Sequence, residues 1–297
     1  MDVSVIIVNY NTCVMTLECI DSIFKWTSGL DFEVIVVDND SKDNSRTVLG
    51  NDGRIKFIES GGNIGFGRAN NLALESAKGE YVLLLNSDTV LTGNAVCDMW
   101  RFMTEKGGNI GALGTVLQDM NGNDVHSSAC FPSPLKSVWS LVKQHFAHLT
   151  GKSRKYGMSE ISYHSVPESG FFEVDYVTGA DLMAKRETFV KYGAFDPEFF
   201  LYCEETEMQF RWRRAGLGNY IIPVRSIVHL EGRVVGPLSS LRRIIIQLRS
   251  ERLYFKKTMM SFPYAIYCCL DTILRLPMLM DRRFDKTERR EIFSILF

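Results

Sequence analysis

Six side chains carry most of the chemistry this sequence offers: Asp38, Asp88, His229 and the clustered carboxylates Glu204, Glu205 and Glu207. Asp88 follows Tyr81-Val-Leu-Leu-Leu-Asn-Ser87, in which four apolar residues, Val82 to Leu85, run without a polar break. Such a run reads as a strand buried on both faces, as in a parallel sheet between helices. Ligands of open α/β sheets gather beyond the carboxyl ends of these strands, so Asp88 would hang where a divalent cation and a phosphate can meet. Read alone, Asn86-Ser87-Asp88 serves somewhat more readily as a turn, with Asp88 capping the next helix; the rest of the chain reverses that preference. Asp38 ends a second strand-like stretch, Phe32 to Val37, and so faces the same sheet edge. A carboxylate there accepts two hydrogen bonds from a nucleobase edge or a ribose; its plainer role is to close an Asx-turn.

Glu204-Glu-Thr-Glu207 opens a helix. Acidic residues in a first turn complement the helix dipole. Three carboxylates within four residues also repel one another, and burial of one raises its pKa toward that of a general base. The aromatic run Phe199, Phe200 and Tyr202 would supply the apolar setting. His229 leaves a strand just before Glu231-Gly232; a lone histidine is more often a structural residue than a ligand. His145 and His148 have helical i, i+3 spacing with no carboxylate beside them and are read as surface. Ser60-Gly-Gly-Asn-Ile-Gly-Phe-Gly67 can bring backbone N–H groups close to a phosphate. It is not the dinucleotide fingerprint, which requires G-x-G-x-x-G directly after the first strand. Asn9-Tyr-Asn-Thr12 stands there instead, which argues against a nicotinamide dehydrogenase.

These residues need elements to hold them. Val3 to Val8, Phe32 to Val37, Ile55 to Ile58, Tyr81 to Asn86 and Ile110 to Val116 read as strands. Between them lie helical patterns: one with Leu17, Ile20, Ile23 and Phe24 on one face, one from Arg68 to Ala77, and one from Asn94 to Glu105. The alternation predicts βαβ units and a mostly parallel, Rossmann-like α/β sheet flanked by helices. From Asp124 to Phe172 the periodicity weakens, with Pro132, Pro134 and Pro167 as breaks and Gly151 to Tyr163 reading as a mobile loop. Order returns at Glu173 to Ala184, continues through a helix to Tyr192 and another from Glu204 to Ala215, and ends in strand segments at Tyr220 to Ile222 and Ser226 to His229. Beyond Gly236 the pattern is mainly helical. The expected organisation is one domain over 1–235, divided into halves 1–120 and 121–235, with a helical extension over 236–297.

The chain has 297 residues, 45% hydrophobic and 23% charged, as an ordinary globular protein does. Its seven cysteines contain no C-x-x-C pair, so neither structural zinc nor a disulfide framework is expected, and reduced thiols point to the cytoplasm. Met1-Asp2 leads straight into strand-like sequence, without a basic and apolar leader. The net charge of −1 is uneven: 236–297 carries 12 Lys/Arg against 6 Asp/Glu, or +6, which leaves −7 for the rest. No nucleic-acid partner is expected. Leu241 to Ile246 and Leu248 to Lys257 fit a basic amphipathic helix, which either lies on an anionic surface or packs inward with a solvated basic face. Met259 to Met280 is apolar in patches but broken by Pro263, Asp271, Arg275 and Pro277. A spanning helix needs about 20 largely apolar residues, so the expectation is peripheral contact of 236–297 with the inner face of the cytoplasmic membrane.

Taken together, the motifs resemble family 2 glycosyltransferases. Val3-Ser-Val-Ile-Ile-Val-Asn-Tyr-Asn11, Val36-Val-Asp-Asn-Asp-Ser-Lys-Asp-Asn-Ser45, Asn63-Ile-Gly-Phe-Gly-Arg-Ala-Asn-Asn71 and Leu84-Leu-Asn-Ser-Asp88 look like the nucleotide-sugar half. Thr178-Gly-Ala-Asp181, Gly193-Ala-Phe-Asp196, Phe199-Phe-Leu-Tyr-Cys-Glu-Glu-Thr-Glu207 and Val228-His-Leu-Glu-Gly232 look like the acceptor half. The nearest likeness is to rhamnosyltransferase-like members that build bacterial surface polysaccharides. The resemblance implies a GT-A fold and inverting transfer of a sugar from a nucleoside diphosphate, dTDP or UDP, to a growing glycan, free or lipid-linked. It implies Asn9, Asn11, Asp38, Asn39, Asn63, Gly65, Arg68, Asn70, Asn86 and Ser87 around the nucleotide. It also implies Asp88 and His229 on Mg²⁺ or Mn²⁺, and Gly179, Asp181 and Tyr202 at the acceptor. Glu205 is the expected base, with Glu204 and Glu207 as neighbours that tune it. Two positions depart from the family's pattern: Asn86 stands first in what is often Asp-x-Asp, and Glu204-Glu205 where many members have Glu-Asp. The competing readings are a nucleotidyltransferase, whose Gly-rich basic signature after the first strand is missing here, and a non-catalytic partner that keeps the fold.

Overall fold

The computed structural model describes residues 1–150, 170–230 and 240–297. The chain begins with β1 (Val3–Asn9), buried along its length except at Val8. Next come α1 (Cys13–Trp26), β2 (Phe32–Asp38), α2 (Ser45–Gly50), β3 (Lys56–Glu59), α3 (Phe66–Leu74) and β4 (Tyr81–Asn86). β5 (Thr89–Leu91), α4 (Ala95–Lys106), β6 (Ile110–Thr115), β7 (Ser128–Ala129) and α5 (Pro134–Leu149) follow. After the residues not described come β8 (Phe172–Val174), β9 (Tyr176–Val177), β10 (Asp181–Lys185), α6 (Arg186–Tyr192), α7 (Glu204–Arg214), β11 (Gly218–Ile222) and β12 (Ile227–His229). The last elements are α8 (Ser240–Thr258), α9 (Ser261–Arg275), a 3₁₀ turn at Leu276–Met280, and α10 (Lys286–Leu296).

Eight strands form one sheet in the order β3-β2-β1-β4-β10-β6-β11-β8. β1 is parallel to both β2 and β4, with Ile6 opposite Ile35 and Leu84, so the polar ends Asn9, Asp38 and Asn86 emerge side by side. The unbroken apolar runs are explained by two cores. Ile7, Leu83 and Leu85 meet Ile20, Ile23 and Met99 on one face; Ile6, Val82 and Leu84 meet Ala69, Ala73 and Trp212 on the other. Each residue along a central strand therefore alternates between two dry layers.

The sheet is mostly parallel, as expected, but β10 is inserted antiparallel between β4 and β6. No crossover helix of its own precedes β10, so it enters from the edge where β4 ends, and Asp181 lies opposite Leu85. α3 starts at Phe66, two residues before the expected Arg68. The Phe66 N–H donates to the Phe200 carbonyl at 3.0 Å, and Gly65 holds φ +88° with no room for a Cβ against that same carbonyl. Only glycine turns the chain there without strain.

Contacts divide the chain into two units. The described part of the first, 1–130, 170–200 and 204–230, contains the sheet; that of the second, 131–150, 201–203 and 240–297, contains α5 and α8 to α10. Residues 131–150 thus group with the C-terminal helices, whereas the sequence reading placed them in the acceptor half. The expected boundary at 235/236, the segment Gly151 to Tyr163, Pro167, Glu231-Gly232 and the side chain of His148 lie outside the described residues.

In the second unit Ile245, Leu248, Met278, Phe284, Ile292 and Leu296 form a small core. Three basic side chains of α8 are paired within this unit. Arg242 and Arg249 both pair with Glu291, and Arg252 Nε reaches Asp271 Oδ2 at 2.8 Å. Of these three arginines only Arg252 is buried; Arg242 is half-buried and Arg249 exposed. No helix among the described residues is long and apolar enough to cross a membrane.

Candidate active site

At the carboxyl end of β4 the chain turns through Ser87 and Asp88 into β5, and the Thr89 hydroxyl tightens that turn by donating to the Asn86 carbonyl at 2.7 Å. β12 pairs antiparallel with β5, which sets His229 opposite Thr89. The Leu230 N–H donates to the Asp88 carbonyl and the His229 N–H to the Gln118 carbonyl, each at 2.8 Å. The result is a carboxylate and an imidazole facing each other, Asp88 Oδ1 to His229 Nε2, at 3.3 Å. His229 is buried and Asp88 partly open, so the sequence-distant pair presents one oxygen and one nitrogen at the sheet edge.

Beside it, β1 and β2 end in a polar network. Asn9 Nδ2 donates to Asp38 Oδ1 at 2.7 Å and to Ser41 Oγ at 3.0 Å, while the Ser41 N–H donates to Asp38 Oδ2 at 3.1 Å. Each Asp38 oxygen keeps a further acceptor site. Asn11, at φ +57°, accepts from the Lys42 N–H at 2.6 Å. Asn39 links this group to the glycine loop: its Nδ2 donates to Asn63 Oδ1 at 3.2 Å and its Oδ1 accepts from the Ile64 N–H at 3.0 Å. Asn63 Oδ1 also takes the Gly65 N–H at 3.2 Å. Thr12 Oγ1 joins Asn9 Oδ1 to Ser87 Oγ. Ser41 and Thr12 were not singled out from the sequence, although both fall within quoted motifs. Arg68 and Asn70 turn to the protein's own backbone, donating to the Pro197 carbonyl at 2.6 Å and the Phe66 carbonyl at 3.1 Å.

The three glutamates at the start of α7 have separate environments. Tyr202 and Cys203 both take left-handed φ angles, 70° and 65°, and so swing the chain into the helix. Glu207 is buried and held by Arg211 Nε at 2.8 and 3.0 Å; Arg211 also donates to the Tyr192 and Ala194 carbonyls. Glu207 is therefore an anchor for the turn before Phe195. Glu204 is buried too, and its Oε2 has no hydrogen-bond partner among the described residues. Burial, then the neighbouring Glu205 charge, pushes its pKa well up. Glu205 is half-buried, and burial raises its pKa as well.

Glu205 is tied to the β4 edge through the segment 178–181. A Cβ built on Gly179 would stand 3.8 Å from Glu205 Cγ and 3.7 Å from the Phe66 ring, so the chain passes close to both. One residue on, the Ala180 carbonyl accepts from the Asn86 N–H at 3.0 Å. Gln209, invisible to motif reading, fixes the approach: its side chain accepts from the Val177 N–H at 2.8 Å and donates to the Val177 carbonyl at 2.7 Å. Asp181, expected to meet the acceptor, is instead wholly buried. Its Oδ2 accepts from the Thr115 N–H at 2.7 Å and the Thr115 hydroxyl at 2.6 Å, pinning β10 to β6. Its Oδ1 has no partner among the described residues. Burial pushes this carboxyl up to about 7, against the opposing pull of Thr115 and His229.

No group of three or more His, Cys, Asp or Glu side chains suited to a metal occurs among the described residues. A carboxylate oxygen beside an imidazole nitrogen fits two places around a first-row divalent ion, leaving the others for oxygen donors of a ligand and water. A cavity of about 440 Å³ lined by Lys106, Phe171, Arg213 and Tyr220 opens at the amino ends of β6 and β11, the opposite edge of the sheet.

This arrangement has known relatives. Residues 4–159 match the model of glycosyl transferase family 2, and the chain belongs to that family. It is 28% identical over 232 residues to the low-salt glycan biosynthesis hexosyltransferase Agl10 of Haloferax volcanii, covering 77% of this chain and 67% of that protein. It is 22% identical over 215 residues to an N-acetylglucosaminyl-diphospho-decaprenol L-rhamnosyltransferase of Mycobacterium tuberculosis, covering 68% of each. Among solved structures, S. aureus TarS superposes with a TM-score of 0.55 at 17% identity, over 97% of this chain and 44% of TarS. The mannosyltransferase PcManGT of Pyrobaculum calidifontis, in complex with GDP-Man and Mn²⁺, gives 0.55 at 17% identity, over 99% of this chain and 73% of that one. The fold is GT-A, and the protein is a glycosyltransferase; it spans less than half the length of TarS.

Proposed function

We propose that the protein transfers a sugar, with inversion, from a dTDP- or UDP-sugar to a hydroxyl of a growing surface glycan carried on a lipid, with help from Mg²⁺ or Mn²⁺. The observation that carries this reading is the 3.3 Å pair of Asp88 and His229 at the end of β4, joined by Asn86, Ala180 and Gly179 to Glu205. Asp38, with Asn9, Asn11, Asn39, Asn63 and Gly65 about it, receives the base and ribose, and Asn86 and Ser87 flank the diphosphate. Asp88 and His229 hold the cation, which, when bound, neutralises charge on the departing diphosphate. Glu205 accepts the proton of the attacking hydroxyl from the side of Gly179, a task for which a carboxylate of raised pKa is suited. PcManGT, determined with GDP-Man and Mn²⁺, is a structural relative that favours a cation here, and the diphospho-decaprenol in the mycobacterial relative's name favours a lipid carrier for the acceptor. On this reading the reaction takes place at the inner face of the cytoplasmic membrane.

Thermal shifts with UDP, dTDP and GDP, each with and without Mn²⁺ or Mg²⁺, test the donor site. A ligand at about 100 Kd contributes roughly 2.7 kcal/mol, and the gain should need metal and vanish in Asp88→Ala. No shift with any nucleotide–metal pair would overturn the reading.

A further inference from the structure

α9 is built inside out. Its buried face carries charge beside Tyr267: Asp271 and Arg275 are 0% and 2% exposed, with Asp271 held by Arg275 Nε at 2.6 Å and Arg252 Nε at 2.8 Å, and Arg275 held by Glu251 at 2.9 Å. Its outer face carries the apolar residues Phe262, Ile266 and Ile273, exposed by 76%, 48% and 62%. α5, which packs against α9, repeats the inversion. Ser137 and Ser140 are buried beside Leu141, while Leu135, Trp139 and Phe146 stand out at 81%, 61% and 67%. Positions 135, 139 and 146 share one helical stripe, as do 262, 266 and 273. Apolar residues sit inside a helical unit when water is all that surrounds it, and two neighbouring helices that reverse the rule mark a surface built for an apolar medium.

Charge selects the medium. α5 contains no acidic residue, and its exposed Lys136 and Lys143 border the Leu135–Trp139–Phe146 stripe. The one acid of α9, Asp271, is buried and paired. A second copy docking the same face by two-fold symmetry would bring these lysines no acidic partner, since neither α5 nor the outer face of α9 carries one. An anionic bilayer complements them, admits the apolar side chains to the headgroup–acyl boundary, and suits both an interfacial tryptophan and lysines that reach outward to headgroups.

We infer that the outer face of α5 and α9, rather than the basic helix α8, is a docking surface for an anionic phospholipid bilayer. The inference deepens the lipid-carried acceptor reading and rests on it only for its purpose. Its test uses neither donor nor acceptor. The full chain is floated with phosphatidylcholine vesicles containing about a quarter phosphatidylglycerol, at low and high salt, beside an Ile266→Gln/Ile273→Gln double variant. The parent should float with the anionic vesicles, less so in high salt, and the variant should partition more than about tenfold more weakly, since two apolar side chains lose their burial. In the unaltered chain, brominated lipids should quench a tryptophan signal that Trp139→Phe removes, a readout that does not depend on the double variant folding. The inference is overturned if the parent stays with the aqueous phase, if Trp139 is unquenched, if the folded double variant floats equally well, or if light scattering finds a dimer that the same substitutions dissolve. A chain that floats yet binds no nucleotide with metal would sink the transfer reading and leave this one standing.

Discussion

Replacing Asp181 with asparagine should change not the stability at one pH but its slope with pH. Asp181 is wholly buried, and burial outweighs its two hydrogen bonds from Thr115, so the carboxyl is held at about 7 in the folded chain against 3.8 ordinarily. The folded state thus binds this proton more tightly than the unfolded state does. Its stabilising contribution is fully present below about 3.8, where both states are protonated, and is lost as pH rises through about 7. At about 1.4 kcal/mol per pH unit, the loss amounts to roughly 4 kcal/mol, of which roughly 3 falls between pH 5 and 7. Asparagine preserves the shape and can accept both Thr115 bonds without a charge to desolvate. The melting temperature of Asp181→Asn should therefore gain on the parent by roughly 6 °C between pH 5 and 8, at about 2 °C per kcal/mol for a chain of this size. The melts are run with a chelator, because a cation on Asp88 and His229 would favour the ionised carboxyl. A constant offset cancels in the comparison, so only the divergence is read. Parallel curves across that range would show that the buried carboxyl carries no such cost and would refute the reasoning.

The other expectations concern the reaction and the scaffold. Glu205→Gln should lower kcat by about 10²- to 10⁴-fold with little change in donor KM, and in the parent, activity should fall as pH drops through the raised pKa of Glu205; a variant of near-normal kcat excludes Glu205 as the base. Gly65→Ala would drive a Cβ into the Phe200 carbonyl at a φ of +88°, so a loss of about 1–3 kcal/mol in denaturation is expected, with weaker nucleotide-induced protection of the 63–66 loop in hydrogen exchange. Asp271→Ala would leave Arg252 and Arg275 buried without their shared acid. Removing one partner of such a group costs about 3–5 kcal/mol, which denaturation of the variant should register, while nucleotide binding persists.

The legible part of this protein was the part governed by one simple rule. Parallel strands with unbroken apolar runs must end at one edge, and so Asn9, Asp38 and Asp88 could be brought together from sequence alone; their ends do lie adjacent. What stayed hidden depends on register and on partners far along the chain. Asp181 ends no apolar run of its own, and nothing in its neighbourhood says that β10 enters antiparallel beside β4 and buries it against Thr115. Gln209 is one polar residue on a polar-looking helix until Val177 is seen between its two amide atoms. In the tail the failure is more instructive. Asp271 and Arg275 interrupt an apolar stretch in the sequence as breaks would, yet with Tyr267 they make the inner face of α9. The period was visible; which side faced inward was not, because inward usually means apolar.

The three glutamates of α7 illustrate how a fold makes unlike groups from like residues. By sequence they are one acidic helix start, and each is placed to complement the helix dipole. The structure pairs Glu207 with Arg211, which commits its charge to holding the Tyr192–Ala194 carbonyls. It buries Glu204 with one oxygen lacking a partner among the described residues, which favours the neutral acid. Glu205 remains half-open, beside Gly179 and one residue removed from the Asn86–Ala180 bond. A neutral Glu204 at its side lets Glu205 ionise without a second adjacent charge, and burial keeps its proton affinity above that of an ordinary carboxylate. A base needs access to its proton donor and an affinity matched to the reaction, and among the three only Glu205 combines them.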